Sequence, residues 1–128
     1  MYTTYYMPGF GKFIRRQREA LRAEDPTFSV RKVAARIGVE PSYLSKVERE
    51  LEGPPSEKKI RALATELGED PDSLLALAGK ISTDLQAAIR QRPQLFSQLI
   101  RELKNMPDED VQRVVRDAIS GTKKKENS

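Results

Sequence analysis

Ser42, Ser45, Lys46 and Arg49 recur at i, i+3, i+4 and i+7, the spacing that lines one face of an α-helix. Hydroxyls that donate or accept, set beside cations that only donate, make a recognition surface rather than a reaction centre. The composition agrees. The 128 residues include no cysteine and no histidine, which removes thiolate nucleophiles, disulfides, the commonest metal ligands and the usual proton shuttle at neutral pH. Catalysis would fall to carboxylates, lysines or hydroxyls, and the acids cluster only at helix starts and on solvated faces. No enzyme activity, metal or cofactor is expected.

The helix that must carry this stripe is legible on its other side. Leu44, Val47 and Leu51 form an apolar row that must face a core. Before it, Val30, Val33, Ala34 and Ile37 make the apolar row of a first helix, Gly38 stands where a helix needs a left-handed residue to stop, and Pro41 stands where a new one can begin. Two short helices joined by an angular turn, the second offering a polar face, have the shape and chemistry to enter a DNA major groove. An ordinary helical hairpin with a wet polar face has the same periodicity.

Charge is unevenly placed. Between Phe10 and Arg49 ten lysines and arginines meet five acids, whereas between Glu50 and Gly79 three meet seven, within a chain of net charge +4. Polyanions should therefore meet the half that holds the polar stripe. Arg15, Arg31, Lys32, Arg36 and Arg49 are the candidates for phosphate contact, with Tyr43 beside them. No apolar run approaches a membrane span, and nothing at the N-terminus resembles an export signal, so a cytoplasmic protein with no membrane partner is expected.

The ordered set Val33-Ala34, Gly38-Val39, Leu44-Ser45 and Glu48 resembles the lambda-repressor and Cro-type helix-turn-helix family, also called the xenobiotic-response-element family, over roughly residues 9–79. The resemblance implies that Pro41, Ser42, Tyr43 and Lys46 occupy groove-facing places. Ser42 and Lys46 are then the leading base readers, with Tyr43 and Ser45 beside them. It also implies a partly buried pair between Arg18 and Glu48. Three positions depart from the family pattern. Val30 replaces a glutamine that touches phosphate, so that contact is expected to move to Arg31 or Lys32. Glu40 replaces the usual Ser or Thr cap. Glu50, Leu51 and Glu52 precede Gly53 where the family has glycine directly after the glutamate, so the helix is expected to run a turn longer.

Together these signals predict an all-α chain: a five-helix lambda-repressor-like DNA-binding domain followed by a C-terminal amphipathic helical extension. Residues 1–8, with Tyr2, Tyr5 and Tyr6, read as a flexible arm, 9–79 as the domain and 122–128 as a disordered tail. Phe10, Phe13, Ile14 and Leu21 give the first helix its apolar face. Ser56 and Asp70 are N-caps, and Gly68 and Gly79 are stops. In residues 80–121, a short helix precedes Pro93. Two apolar stripes follow, Leu95, Phe96, Leu99, Ile100 and Leu103, then Val111, Val114, Val115 and Ile119 with Ala118. Two such helices have little core of their own and should pack on the domain, on a second copy or on another protein. The expected function is a sequence-specific double-stranded DNA-binding regulator, a repressor acting as a homodimer on a symmetric operator. The alternative is an antitoxin-like module whose residues 80–121 hold a protein partner while DNA binding is autoregulatory.

Overall fold

Eight α-helices and one short 3-10 turn make up the described part of the chain, without a strand among the described residues. The computed structural model describes residues 9–126, with side chains as far as Gly121; the expected arm at 1–8 lies outside the described residues. The helices are α1 (Phe10–Arg22), α2 (Val30–Ile37), α3 (Pro41–Glu48), α4 (Glu57–Leu67), α5 (Pro71–Leu77), α6 (Thr83–Gln91), α7 (Pro93–Lys104) and α8 (Asp108–Glu126), with the 3-10 turn at Pro26–Phe28. Two compact units divide between Thr83 and Asp84.

In the first unit the apolar rows close on one another. Phe10 and Ile14 from α1, Val33, Ala34 and Ile37 from α2, Leu44 and Val47 from α3, Ile60, Leu63, Ala64 and Leu67 from α4, and Leu74 and Leu75 from α5 form one buried cluster. α1 packs on α3 and α4, α2 on α3 and α4, and α4 on α5. The rows are the predicted ones, because several helices are available to cover each stripe, except at Leu51, which was expected to continue the inner row of α3 but lies beyond the left-handed Glu50 and is 64% exposed.

The caps fall where the sequence places them. Ser29 Oγ accepts the Lys32 N–H at 3.2 Å, Ser56 Oγ accepts the Lys59 N–H at 3.4 Å, and an Asp70 carboxylate oxygen accepts the Ser73 N–H at 2.9 Å. Glu40, at the start of α3, makes no side-chain cap bond. Gly38 adopts φ 76°, and the Val39 N–H donates back to the Ala34 carbonyl at 2.9 Å, closing α2 and turning the chain into α3. Lys59 reinforces that turn from α4. Its ammonium donates to the carbonyls of Ile37 and Gly38 at 3.0 and 3.2 Å, a cation at a helix C-terminus.

Three boundaries differ from the expected ones. α3 does not run a turn longer. It ends at Glu48, Glu50 takes φ 62°, and the N–H groups of Glu50 and Leu51 donate to the carbonyls of Val47 and Lys46 at 3.0 and 2.8 Å. This is the same closure that glycine makes after α2, built on a glutamate. The strain of a left-handed non-glycine residue is of order 1–3 kcal/mol. Its carboxylate reaches back to the start of α1, where the Lys12 N–H donates to Oε2 at 3.4 Å. The first unit also extends past Gly79 to Thr83, with Ser82 buried, Lys80 Nζ donating to the Pro55 carbonyl at 2.9 Å and Thr83 Oγ1 bonded to Glu57 at 3.2 Å. Finally, the backbone of α8 continues as helix through residues 122–126, which the sequence reads as the beginning of a disordered tail.

The second unit is organised differently. α6, α7 and α8 carry amphipathic rows, yet no described residue of α6 or α7 is buried. Of the expected interface residues, Phe96, Leu103 and Val111 are half-buried, while Leu95, Leu99, Ile100, Val114, Val115 and Ile119 are exposed.

Candidate nucleic-acid interface

α3 is held from behind and from one side. Leu44 and Val47 bury its inner row at 2% and 1% exposure. Glu48 closes the helix with a two-pronged ion pair to α1, in which Arg18 Nε donates to Oε2 at 2.7 Å and Nη2 to Oε1 at 2.9 Å. The remaining guanidinium donors reach the Phe28 carbonyl at 3.1 Å and Glu19 at 3.2 Å. Both side chains of the pair are almost completely buried. The hydrogen bonds that Arg18 donates to Glu48 hold its guanidinium above its ordinary pKa despite the opposing effect of burial. A planar fork matched to a carboxylate fixes angle as well as distance, so the pair sets the direction in which α3 projects from α1.

The outward side of α3 carries two rows. Ser42 and Lys46, one turn apart, are both exposed. No side chain among the described residues forms an ion pair with Lys46, so its ammonium is available to a ligand. Ser45 and Arg49 form the second row and turn toward α1: with Arg15 and Arg22 they line a groove between the two helices. Arg15 and Arg49 continue into an adjoining groove with Lys12 and Arg16. The Arg49 guanidinium bends back, Nε donating to the Ser45 carbonyl at 3.4 Å. Tyr43 packs its ring against the edge of the core while remaining half-exposed. Arg31 and Lys32 stand exposed in the first turn of α2.

The structure therefore brings Ser42, Lys46, Ser45, Arg49 and Arg15 onto α3 and the α1 groove beside it, and Arg31 and Lys32 onto the start of α2. Arg36 is different. Its guanidinium pairs with Glu66, donates Nη1 to the Thr27 carbonyl at 2.8 Å and lies 5.0 Å over the Phe28 ring. This member of the expected phosphate set is engaged inside its own domain. The segment that engages it is the connection after α1, whose Asp25 accepts the Thr27 hydroxyl at 2.7 Å and N–H at 2.9 Å. Those bonds hold the Asp25 carboxyl below its usual range.

Sequence reading missed four positioning residues: Phe28, Glu50, Lys59 and Glu66. Phe28 offers its ring to Arg36 and its carbonyl to Arg18. Glu66 and Lys59 project from α4 toward α2 and the turn after it. None shares a helix with the residue it holds, so no spacing rule could have paired them. No group of three or more His, Cys, Asp or Glu side chains placed to hold a metal ion occurs among the described residues. No helix among them is long and apolar enough to cross a membrane.

The helix-turn-helix family model matches residues 15–74, from the middle of α1 to the first turns of α5. Comparison with curated proteins and with solved structures gives no match. With α2, the Gly38 turn and α3 supported by α1, α4 and α5, residues 15–74 carry a helix-turn-helix domain, similar to those of the lambda-repressor and Cro-type DNA-binding regulators.

Proposed function

We propose that the protein is a sequence-specific repressor that binds a symmetric operator as a homodimer, acts by occupying a promoter in the cytoplasm and carries out no catalysis. The observation that carries this reading is the division of α3: one row sealed into the core and the Arg18–Glu48 pair, and Ser42 and Lys46 left exposed one turn apart. A rigidly backed helix with a free polar row suits major-groove entry. Lys46 donates to guanine O6 or N7, and Ser42 donates or accepts beside it. Tyr43 and Ser45 lie beside these base readers, while Arg15, Arg31, Lys32 and Arg49 meet phosphates and supply the affinity that does not depend on sequence.

The homodimer is supported by the uncovered apolar rows of α7 and α8 and by the gain from engaging two half-sites at once. Selection from a random duplex library at about 0.15 M salt, followed by sequencing of the bound pool, tests the whole reading. A two-fold symmetric motif with half-sites about 34 Å apart, or a multiple, is expected. No enrichment by the folded protein overturns sequence-specific binding. An asymmetric single site overturns the homodimer and transfers the exposed rows to a different protein, as in the antitoxin-like alternative.

A further inference from the structure

We infer that the groove between α1 and α3 is a track for the sugar-phosphate backbone of one DNA strand, gripped by Lys12, Arg16 and Arg22 in addition to Arg15 and Arg49. This rests on the DNA-binding reading above and adds a third contact surface, on α1, to the outward row of α3 and the first turn of α2. Lys12, Arg15, Arg16, Glu19 and Arg22 fall at i, i+3, i+4, i+7 and i+10, one stripe of a helix, and all of them are exposed. From Lys12 to Arg22 the stripe is about 15 Å long. That leaves room for more than one phosphate, since successive charges of a strand advance about 3.4 Å along the duplex axis. The stripe lines two adjoining grooves, and α3 supplies Ser45 and Arg49 on the other side.

The charges of this groove are free to meet a partner. Elsewhere in the first unit Arg36 is held by Glu66, Arg61 by Glu57, and Lys59 and Lys80 by backbone carbonyls. None of Lys12, Arg15, Arg16, Arg22 and Arg49 forms an ion pair with a described side chain. The two carboxylates that line the grooves, Glu19 and Glu48, are both held by Arg18: Glu48 at 2.7 and 2.9 Å and Glu19 at 3.2 Å. Five cations along the rim therefore set the sign. Lysine and arginine only donate, so the groove takes a partner rich in acceptors. Ser45 and Arg49 are the α3 row next to Ser42 and Lys46. Setting Ser42 and Lys46 against base edges brings the α1 groove against the strand that borders them, and the phosphates of that strand are the acceptors.

Binding of the full chain to its selected duplex and to a random duplex, over a series of salt concentrations, tests the track. Each phosphate neutralised contributes about −0.9 to the slope of log K against log salt. The triple variant Lys12→Gln/Arg16→Gln/Arg22→Gln should flatten that slope by about 2–3 on both duplexes and leave their affinity ratio unchanged. Arg22→Gln alone should flatten it by about 1. A control, Arg90→Gln/Arg92→Gln/Arg101→Gln, removes the same charge from exposed positions of the second unit and should leave the slope as it is. Equal flattening by both triple variants would reduce the effect to net charge and overturn the track. Glu19→Gln should tighten binding to both duplexes, and looser binding would overturn the placement of a strand beside it. Specific binding by the wild type, with the slope unchanged in the α1 variant, would overturn the track while leaving the regulator reading standing. Failure of the folded wild type to bind any duplex would overturn both.

Discussion

α4 and α7 are helices of similar length, 11 and 12 residues, each with one apolar row. In α4 that row, Ile60, Leu63, Ala64 and Leu67, is sealed to between 0% and 6% exposure, whereas in α7 Leu95, Leu99 and Ile100 remain 44% to 62% exposed. Spacing and residue type do not separate the two. Neighbours do. α4 lies among α1, α2 and α5, so burying its row removes water from several surfaces at once. The unit beginning at Asp84 has too few helices to enclose a core, and the rows of α7 and α8 stay largely uncovered within it. Amphipathicity announces that a face will be covered; it does not name the cover.

The comparison predicts opposite responses to substitution. The largest effect should come from Arg18→Met, which leaves the Glu48 carboxylate buried and uncompensated. Denaturant titration should show a loss of about 3–5 kcal/mol. Val115→Ser and Ile119→Ser, in exposed rows of the second unit, should leave that unfolding transition nearly unchanged and shift the sedimentation equilibrium toward monomer. Equal loss of folding stability from both kinds of substitution would erase the distinction between a closed and an open unit.

Within the first unit the outward row of α3 and the start of α2 should separate by function. Lys46→Ala is expected to cost roughly 1–3 kcal/mol of discrimination between operator and random DNA. Arg31→Ala should weaken both alike and lower the salt dependence of binding. Competition binding at several salt concentrations reads the two effects apart.

The seam between α1 and α3 makes a further, smaller contrast. A Cβ on Gly11 would stand 2.2 Å from the Val47 carbonyl oxygen, a backbone atom, while one on Gly9 would meet only the mobile end of Glu50, at 2.0 Å from Oε2. Gly11→Ala should destabilise by about 1–3 kcal/mol. Gly9→Ala should cost distinctly less in the same melt, because a carboxylate swings aside and a backbone does not.

The smallest effect is acid sensitivity. Asp25 and Asp70 are both held below the usual carboxyl range, Asp25 by the hydroxyl and N–H of Thr27, and Asp70 by the N–H and hydroxyl of Ser73. A lowered native pKa stabilises the fold above the unfolded-state value, about 3.9 for Asp. That contribution fades as the pH falls below it and through the native value. Thermal melts between pH 5 and pH 2 should show a decline that is shallower in Asp70→Asn, which has no proton to take up.

Much of this molecule was determined locally. The rows of α1 to α5, the caps at Ser29, Ser56 and Asp70, the stops at Gly38, Gly68 and Gly79, and the polar face of α3 all follow from periodicity and backbone preference within a few residues. The Arg18–Glu48 pair was legible through family resemblance. What escaped was long-range and geometric. Glu50 looked like helix and became a left-handed stop, with its carboxylate beside the start of α1, 38 positions earlier in the chain. Arg36 looked like a phosphate ligand and was taken by Glu66, 30 positions away. Neither outcome is written in local spacing, because each depends on which surfaces the packed helices bring together. The sequence by itself determined the helices and the face each would offer or hide; only the tertiary structure decided which charges were left over for a partner.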